Sequence, residues 1–209
     1  MSTGLMDMIA AGNGPFLVPL TVDQYHEMAR AGIIPEASPI ELMDGLLVWK
    51  DRSRTGGDPM SHDPRHILLI TRLVRLLEAW VAPLGYSIRA QSPISLTNRC
   101  EPEPDVAVVR GSFEDYAQRH PDAADVAVAI EVADSSLRYD QTTKQTMYAT
   151  AGIPRYWIVN LREQTVEVYD RPNPATELYE SQSVHRPGDT LRLCLDGNEL
   201  SVDLAQLLA

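Results

Sequence analysis

Two carboxylates stand where packing alone would not put them. Asp105 opens the apolar run Val106-Ala107-Val108-Val109 directly after Pro104, and Glu131 ends the run Val126-Ala127-Val128-Ala129-Ile130. Taken singly, each is also what a solvated strand end carries. If the two strands are neighbours, however, their ends bring two ionised groups to the edge of a dry core, where an unpaired charge is costly. Two converging carboxylates form a hard-oxygen site suited to Mg²⁺ or Mn²⁺. Lys144 completes the set. With Asp140 capping a helix, Lys144 falls in its first turn and shares a face with Met147, Tyr148 and Ala151. From there an ammonium reaches the carboxylates, where it orients an attacking water or stabilises charge developing on a phosphate; on the outer face it would be an ordinary solvated lysine.

Further polar groups surround this trio. Glu41 precedes Asp44-Gly45 and offers another acidic ligand or a water-orienting group, and Gln91 ends a strand where it can touch the site. For both, a purely structural role is equally open. Glu101, Glu103 and Asp105 alternate by two, so on one extended strand they share a side and repel unless a cation sits among them. The interleaved Pro102 and Pro104 equally allow irregular backbone. His62 and His66 have i, i+4 spacing, but Pro64 between them argues against a zinc-binding pair on one helix and leaves His66 to start the helix, lining the cleft. No nucleophile elbow, phosphate-binding P-loop or dinucleotide fingerprint occurs, which leaves serine hydrolases and nucleotide kinases without support.

The elements that must position these groups read as one mixed α/β unit. Thr21 to Gln24 forms a capping box for a helix to about Ala31, stopped by Gly32. Asp44-Gly45 between apolar runs marks a hairpin. From His66 to Val81, Ile67, Ile70, Leu73, Val74, Leu77 and Trp80 recur at helical spacing. Strands follow at residues 86–90, 105–109 and 125–132, then a helix from Gln141 to Ala151 closed by Gly152. A hairpin from Arg155-Tyr156-Trp157-Ile158-Val159 to Thr165-Val166-Glu167-Val168-Tyr169 comes next, with short strands near Leu191 to Leu195 and a helical turn around Leu204 to Leu208. The turn Ala133-Asp134-Ser135-Ser136 fixes the chain after Glu131. We expect residues 1–15 to form a mobile lead-in, residues 51–63 an exposed loop, and residues 16–209 a single domain with a central mixed sheet flanked by helices.

Composition bounds the partners. With 209 residues and 44% hydrophobic content, the chain can bury one sizeable core. Its net charge of -11 disfavours strong non-specific binding to nucleic acid, yet suits a site whose carboxylates meet phosphate through metal ions. Of the 18 basic residues only Lys50 and Lys144 are lysines, which draws attention to both positions. Cys100 and Cys194 have no metal-binding partners nearby in sequence, and there is neither a signal-peptide pattern nor an unbroken apolar span. A reducing cytoplasmic setting and no membrane are therefore expected.

Several spaced motifs together resemble the Uma-two family of restriction endonucleases, a branch of the PD-(D/E)XK nuclease superfamily. They are Glu41-Leu42-Met43-Asp44-Gly45, Gln91-Ser92-Pro93-Ile94, Glu101-Pro102-Glu103-Pro104-Asp105, Ile130 to Leu137, Asp140 to Lys144, and Tyr148 through Trp157. The resemblance implies a restriction-endonuclease-like core and Mg²⁺-dependent hydrolysis of phosphodiester bonds in DNA. Asp105 takes the Asp position and Glu131 the second acidic position, both as metal ligands together with a backbone carbonyl near Val132. The superfamily lysine would stand two residues after Glu131, where this chain has Ala133; the resemblance relocates it to Lys144. Glu41 maps to an additional acid and Gln91 to a polar residue at the site's edge. Arg155 and Asn160 depart from the acidic residues of similar sequences. A homodimer would let two sites cut two strands. The competing expectation is a non-catalytic or specialised nucleic-acid-binding protein, or a dimeric interaction protein, that keeps the fold.

Overall fold

The structure, a computed structural model, describes residues 16–35, 38–50 and 64–209. The expected lead-in at 1–15, the loop at 51–63 and His62 lie outside the described residues. Helix α1 (Val22–Arg30) begins with the expected capping box, Thr21 accepting from the Gln24 N–H and Gln24 accepting from the Thr21 N–H. Strands β1 (Ile40–Met43) and β2 (Leu46–Trp49) form an antiparallel hairpin. Asp44 and Gly45 turn it with φ 50° and 78°, the doubly left-handed geometry that suits strand twist. A Cβ on Gly45 would lie 2.3 Å from the Pro19 Cβ. Gly45→Ala should therefore lower stability by at least about 1–2 kcal/mol from the left-handed backbone alone, with the clash adding to it, as read by denaturant unfolding.

A six-stranded sheet carries the site. Its order is β3 (Tyr86–Ala90), β4 (Val106–Arg110), β5 (Val126–Ala133), β6 (Arg155–Asn160), β7 (Thr165–Asn173), β8 (Leu178–His185). Only the β5–β6 pair is parallel, and the others are antiparallel. A parallel step needs a crossover, and the helical segment between β5 and β6 supplies it. That segment, α3, runs through Leu137–Tyr139, a π-helical stretch Asp140–Lys144, and Gln145–Thr150. A second hairpin, β9 (Thr190–Leu195) with β10 (Asn198–Asp203), leads into the short α4 (Leu204–Leu207).

Each face of the sheet is covered. Val128, Ile130 and Val132 of β5 point toward α2 (Pro64–Val81), packing with Leu69, Leu73, Leu77 and the β9–β10 hairpin. The alternate residues Ala129 and Ala133 point the other way, onto Tyr148, Ala149 and Ile153 of the α3 region and the stacked rings of Tyr156, Tyr169 and Tyr179. By the two-residue period Glu131 shares that second face, so α3 decides what it meets.

Two local expectations are corrected. In α2 the inward stripe is His66, Leu69, Ile70, Leu73, Leu77 and Val81, while Ile67 is 50% exposed. The run Ile67-Leu68-Leu69-Ile70 is apolar throughout, so spacing alone cannot fix its phase, and the true phase turns His66 inward. Asp140 is not a cap: the helical backbone begins before it, and Asp140 lies buried inside the π-helical stretch, accepting from the Ser136 hydroxyl. The extra residue per turn brings Asp140 and Lys144 inward together.

Candidate active site

The strand register builds the centre. Val106 pairs with Ile130 in the antiparallel β4–β5 ladder, so the preceding Asp105 falls beside Glu131 at the same end of the sheet. Asp105 Oδ2 accepts from the Val132 N–H at 2.8 Å and lies 3.2 Å from His66 Nε2 at the start of α2. Glu131 Oε1 lies 2.7 Å from Lys144 Nζ and accepts from the Tyr148 hydroxyl at 2.9 Å. Glu131, Lys144 and His66 are all buried. The three residues expected to act together thus share one site, with Val132 beside Asp105 and with His66 and Tyr148 as added neighbours.

The electrostatics follow from burial and neighbours. The Glu131 carboxyl is raised to about 8: burial above all, and then the charges of Asp105 and Asp140, push it up, while Lys144 pulls it down. For Lys144, burial alone would lower the ammonium, but Glu131, Glu41 and Asp140 around it raise it above the ordinary lysine range. Lys144 is therefore a fixed positive charge at neutral pH, not a base. Burial alone would raise Asp105. The hydrogen bond and charge of His66, the charge of Lys144 and the Val132 N–H together hold its carboxyl below its usual value.

The donor set fits a hard divalent cation. The hydrogen bonds that described residues give to Asp105 and Glu131 fall on Oδ2 and Oε1. Asp105 Oδ1 and Glu131 Oε2 are left as oxygen donors of the kind Mg²⁺ and Mn²⁺ take.

Glu41 also reaches this region. It is buried, accepts from the Glu103 N–H at 2.7 Å, lies 3.3 Å from Lys50 Nζ, and counts among the charges that raise Lys144. Gln91 does so by its backbone. Its N–H donates to the Asp105 carbonyl at 3.1 Å, its φ is 46°, and its side chain is exposed. The alternating acids do not repel across one face, because each meets a different partner. Glu101 sits 2.6 Å from His26 Nε2, Glu103 2.7 Å from Lys50 Nζ, and Asp105 meets His66. Lys50 is the neighbour that sequence reasoning left unassigned, and its signal was there: the chain's two lysines both end among these acids. Arg155 pairs with Asp170, and Asn160 accepts from the Arg162 and Glu163 N–H groups to close the β6–β7 turn, so both departures from the acidic pattern serve the scaffold.

Several of the described arginines are engaged within the fold. Arg72 donates to the Leu207 and Ala209 carbonyls and so holds the C-terminal turn. Arg89 lies over the Tyr116 ring. Arg110, Arg119, Arg162 and Arg192 pair with Asp196, Asp125, Asp134 and Glu199. No helix among the described residues is long and apolar enough to cross a membrane.

Comparison with known proteins agrees with this architecture. A crystal structure titled as "a putative nuclease belonging to DUF820", from Anabaena variabilis ATCC 29413, matches with a TM-score of 0.66 at 18% identity, over 91% of this chain and 98% of that one. At that identity the likeness shows the fold. No curated protein matches the chain. The family model "Uma2: Putative restriction endonuclease" matches residues 22–205. With a matching fold and nearly the whole chain covered by that model, the chain belongs to the Uma2 family.

Proposed function

We propose that this chain is a Mg²⁺-dependent endonuclease, with Mn²⁺ as a substitute, that hydrolyses phosphodiester bonds in DNA. The observation that carries the reading is the convergence of Asp105 and Glu131 on one sheet end, with the Lys144 ammonium 2.7 Å from Glu131. Asp105 and Glu131 would hold the cation, with the Val132 carbonyl as a further ligand. The cation, when bound, supplies a Lewis acid that polarises the scissile phosphate. The chain's own groups do the positioning. The Val132 N–H and His66 fix Asp105, Tyr148 fixes Glu131, and Lys144 donates to the attacking water or to the charge that develops on the phosphate. Glu41 tunes Lys144 as a nearby negative charge, and Gln91 marks the rim.

The same reading takes residues 16–209 as one domain, working in the cytoplasm as a homodimer so that two sites can address two strands. The two unbridged cysteines suit a reducing compartment. A second reading, a nucleic-acid-binding or dimeric interaction protein that keeps the fold without cutting, draws support from Arg110, Arg119, Arg162 and Arg192, each paired with an acid rather than set out for phosphates.

One experiment separates the two. Purified protein is incubated with supercoiled, linear and single-stranded DNA in Mg²⁺, in Mn²⁺ and in chelator. Cleavage of at least one DNA form with metal, stopped by chelator, is expected. Intact DNA in every metal condition would reject the nuclease reading in favour of the second.

A further inference from the structure

Outside the Asp105 site, the structure gathers a second set of donors. His26 of α1, Glu101 ahead of β4 and His120 between β4 and β5 each offer one ligand atom, and these atoms lie within 4.8 Å of one another. We infer that His26, Glu101 and His120 form a site for one transition-metal ion of the Zn²⁺ type, distinct from the oxygen site at Asp105 and Glu131. This inference does not depend on whether the protein cuts DNA.

Donor chemistry selects the ion class. Imidazole nitrogen suits Zn²⁺, Co²⁺, Ni²⁺ and Fe²⁺, whereas Mg²⁺ prefers oxygen and water. Two histidines and one carboxylate, with a side left open, are a known way to hold zinc with three protein ligands. His26 is about one third exposed (34%) and Glu101 nearly buried (1%), so the carboxylate forms the floor and solvent can complete the coordination.

The site is also held in place before any ion arrives. Glu101 uses Oε1 toward His26 at 2.6 Å, and its Oε2 accepts from the Ser95 hydroxyl at 2.5 Å. A hydrogen bond of this kind to a ligand carboxylate is the outer support that tunes metal sites. The backbone ties all three segments to the same stretch of chain. The Val22 N–H donates to the Asn98 carbonyl and anchors α1, while the Ser95 N–H donates to the Pro121 carbonyl beside His120. The imidazole rings of His26 and His120 meet edge to face with centroids 5.7 Å apart. A bound ion would replace the His26–Glu101 contact and clamp α1 and the His120 loop onto the segment that leads to Asp105.

The test uses the full chain, stripped with chelator and dialysed. Co²⁺ titration should produce the visible absorption of an imidazole-bound, low-coordinate ion, and one equivalent of Zn²⁺ should bleach it. Zn²⁺ should raise the melting temperature by several degrees. His120→Ala and His26→Gln should each weaken Zn²⁺ binding at least 100-fold, Ser95→Ala by about tenfold, and Asp105→Asn should leave it unchanged. Histidine ¹⁵N shifts in the unmodified protein should move for two imidazoles on Zn²⁺ addition, a readout that needs no variant to fold. Absence of Zn²⁺ uptake at stoichiometric concentration, no histidine shift, or unaltered binding in both histidine variants would overturn the site and leave the cluster a hydrogen-bonded network.

Discussion

Asp105→Asn should lower the metal-dependent cleavage rate by on the order of 10²- to 10³-fold, the scale on which loss of one preorganised charge-stabilising group registers, while leaving the protein folded. The asymmetry comes from the two jobs of this side chain. Its structural job is to accept the Val132 N–H at 2.8 Å, and an amide oxygen does that equally well. Its chemical job is to stay ionised, which His66, Lys144 and the Val132 N–H enforce against burial. Asparagine keeps the first and loses the second. The check is initial cleavage rates on supercoiled DNA beside a thermal melt of the same preparation. A variant that retains full rate would remove Asp105 from the chemistry, and one that fails to fold would show that its charge holds the sheet end together.

Lys144→Met should destabilise the protein, and the loss should grow with pH. Glu131 has its folded value raised from 4.5 to about 8. The folded chain therefore keeps a proton that the unfolded chain releases above 4.5, and this group's contribution to stability declines as pH rises toward 8, then levels off. Lys144 is the strongest influence lowering Glu131. Without it the folded value climbs further and the decline continues past pH 8, at about 1.4 kcal/mol for each further unit. At pH 6 the variant can keep Glu131 neutral and loses little. At pH 9.5, a unit and a half past the parent's value, the variant must either hold the Glu131 proton against solvent or bury an unpaired carboxylate, and the gap widens by about 2 kcal/mol. Urea unfolding of both proteins at the two pH values reads this directly. An equal gap at both would mean that Glu131 and Lys144 do not form the coupled pair described.

Much of this was legible in the residues, for identifiable reasons. Asp105 and Glu131 were conspicuous because charge at the end of a Val-and-Ala strand is expensive, and the antiparallel register then placed them side by side. The Asp44-Gly45 turn and the Thr21 capping box are local signals that tertiary structure had no reason to overrule. Lys144 was found on the right segment for a partly wrong reason. A regular helix capped by Asp140 was expected, whereas a π-helical stretch that buries Asp140 carries the lysine inward. No apolar periodicity in the sequence announces such a stretch. The inward stripe of α2 was misphased for a similar reason: four consecutive apolar residues after His66 left the helix phase open. His26 and His120 were invisible as a pair, because only long-range backbone pairing to the segment around Ser95 brings them together.

Asp105 and Glu131 are proposed to hold one divalent cation between them, and calorimetric titration of Mn²⁺ reads this. The titration is best run in a chain carrying His26→Ala and His120→Ala, so that the imidazole cluster takes up no ion, with and without Asp105→Asn. The parent should bind one Mn²⁺ at pH 7 and release a proton, because Glu131, raised to about 8, must ionise to ligate; the heat should then vary with buffer ionisation enthalpy. Asp105→Asn should abolish that binding. Equal Mn²⁺ binding with and without Asp105→Asn, or uptake with no proton released, would show that these two carboxylates do not hold the ion.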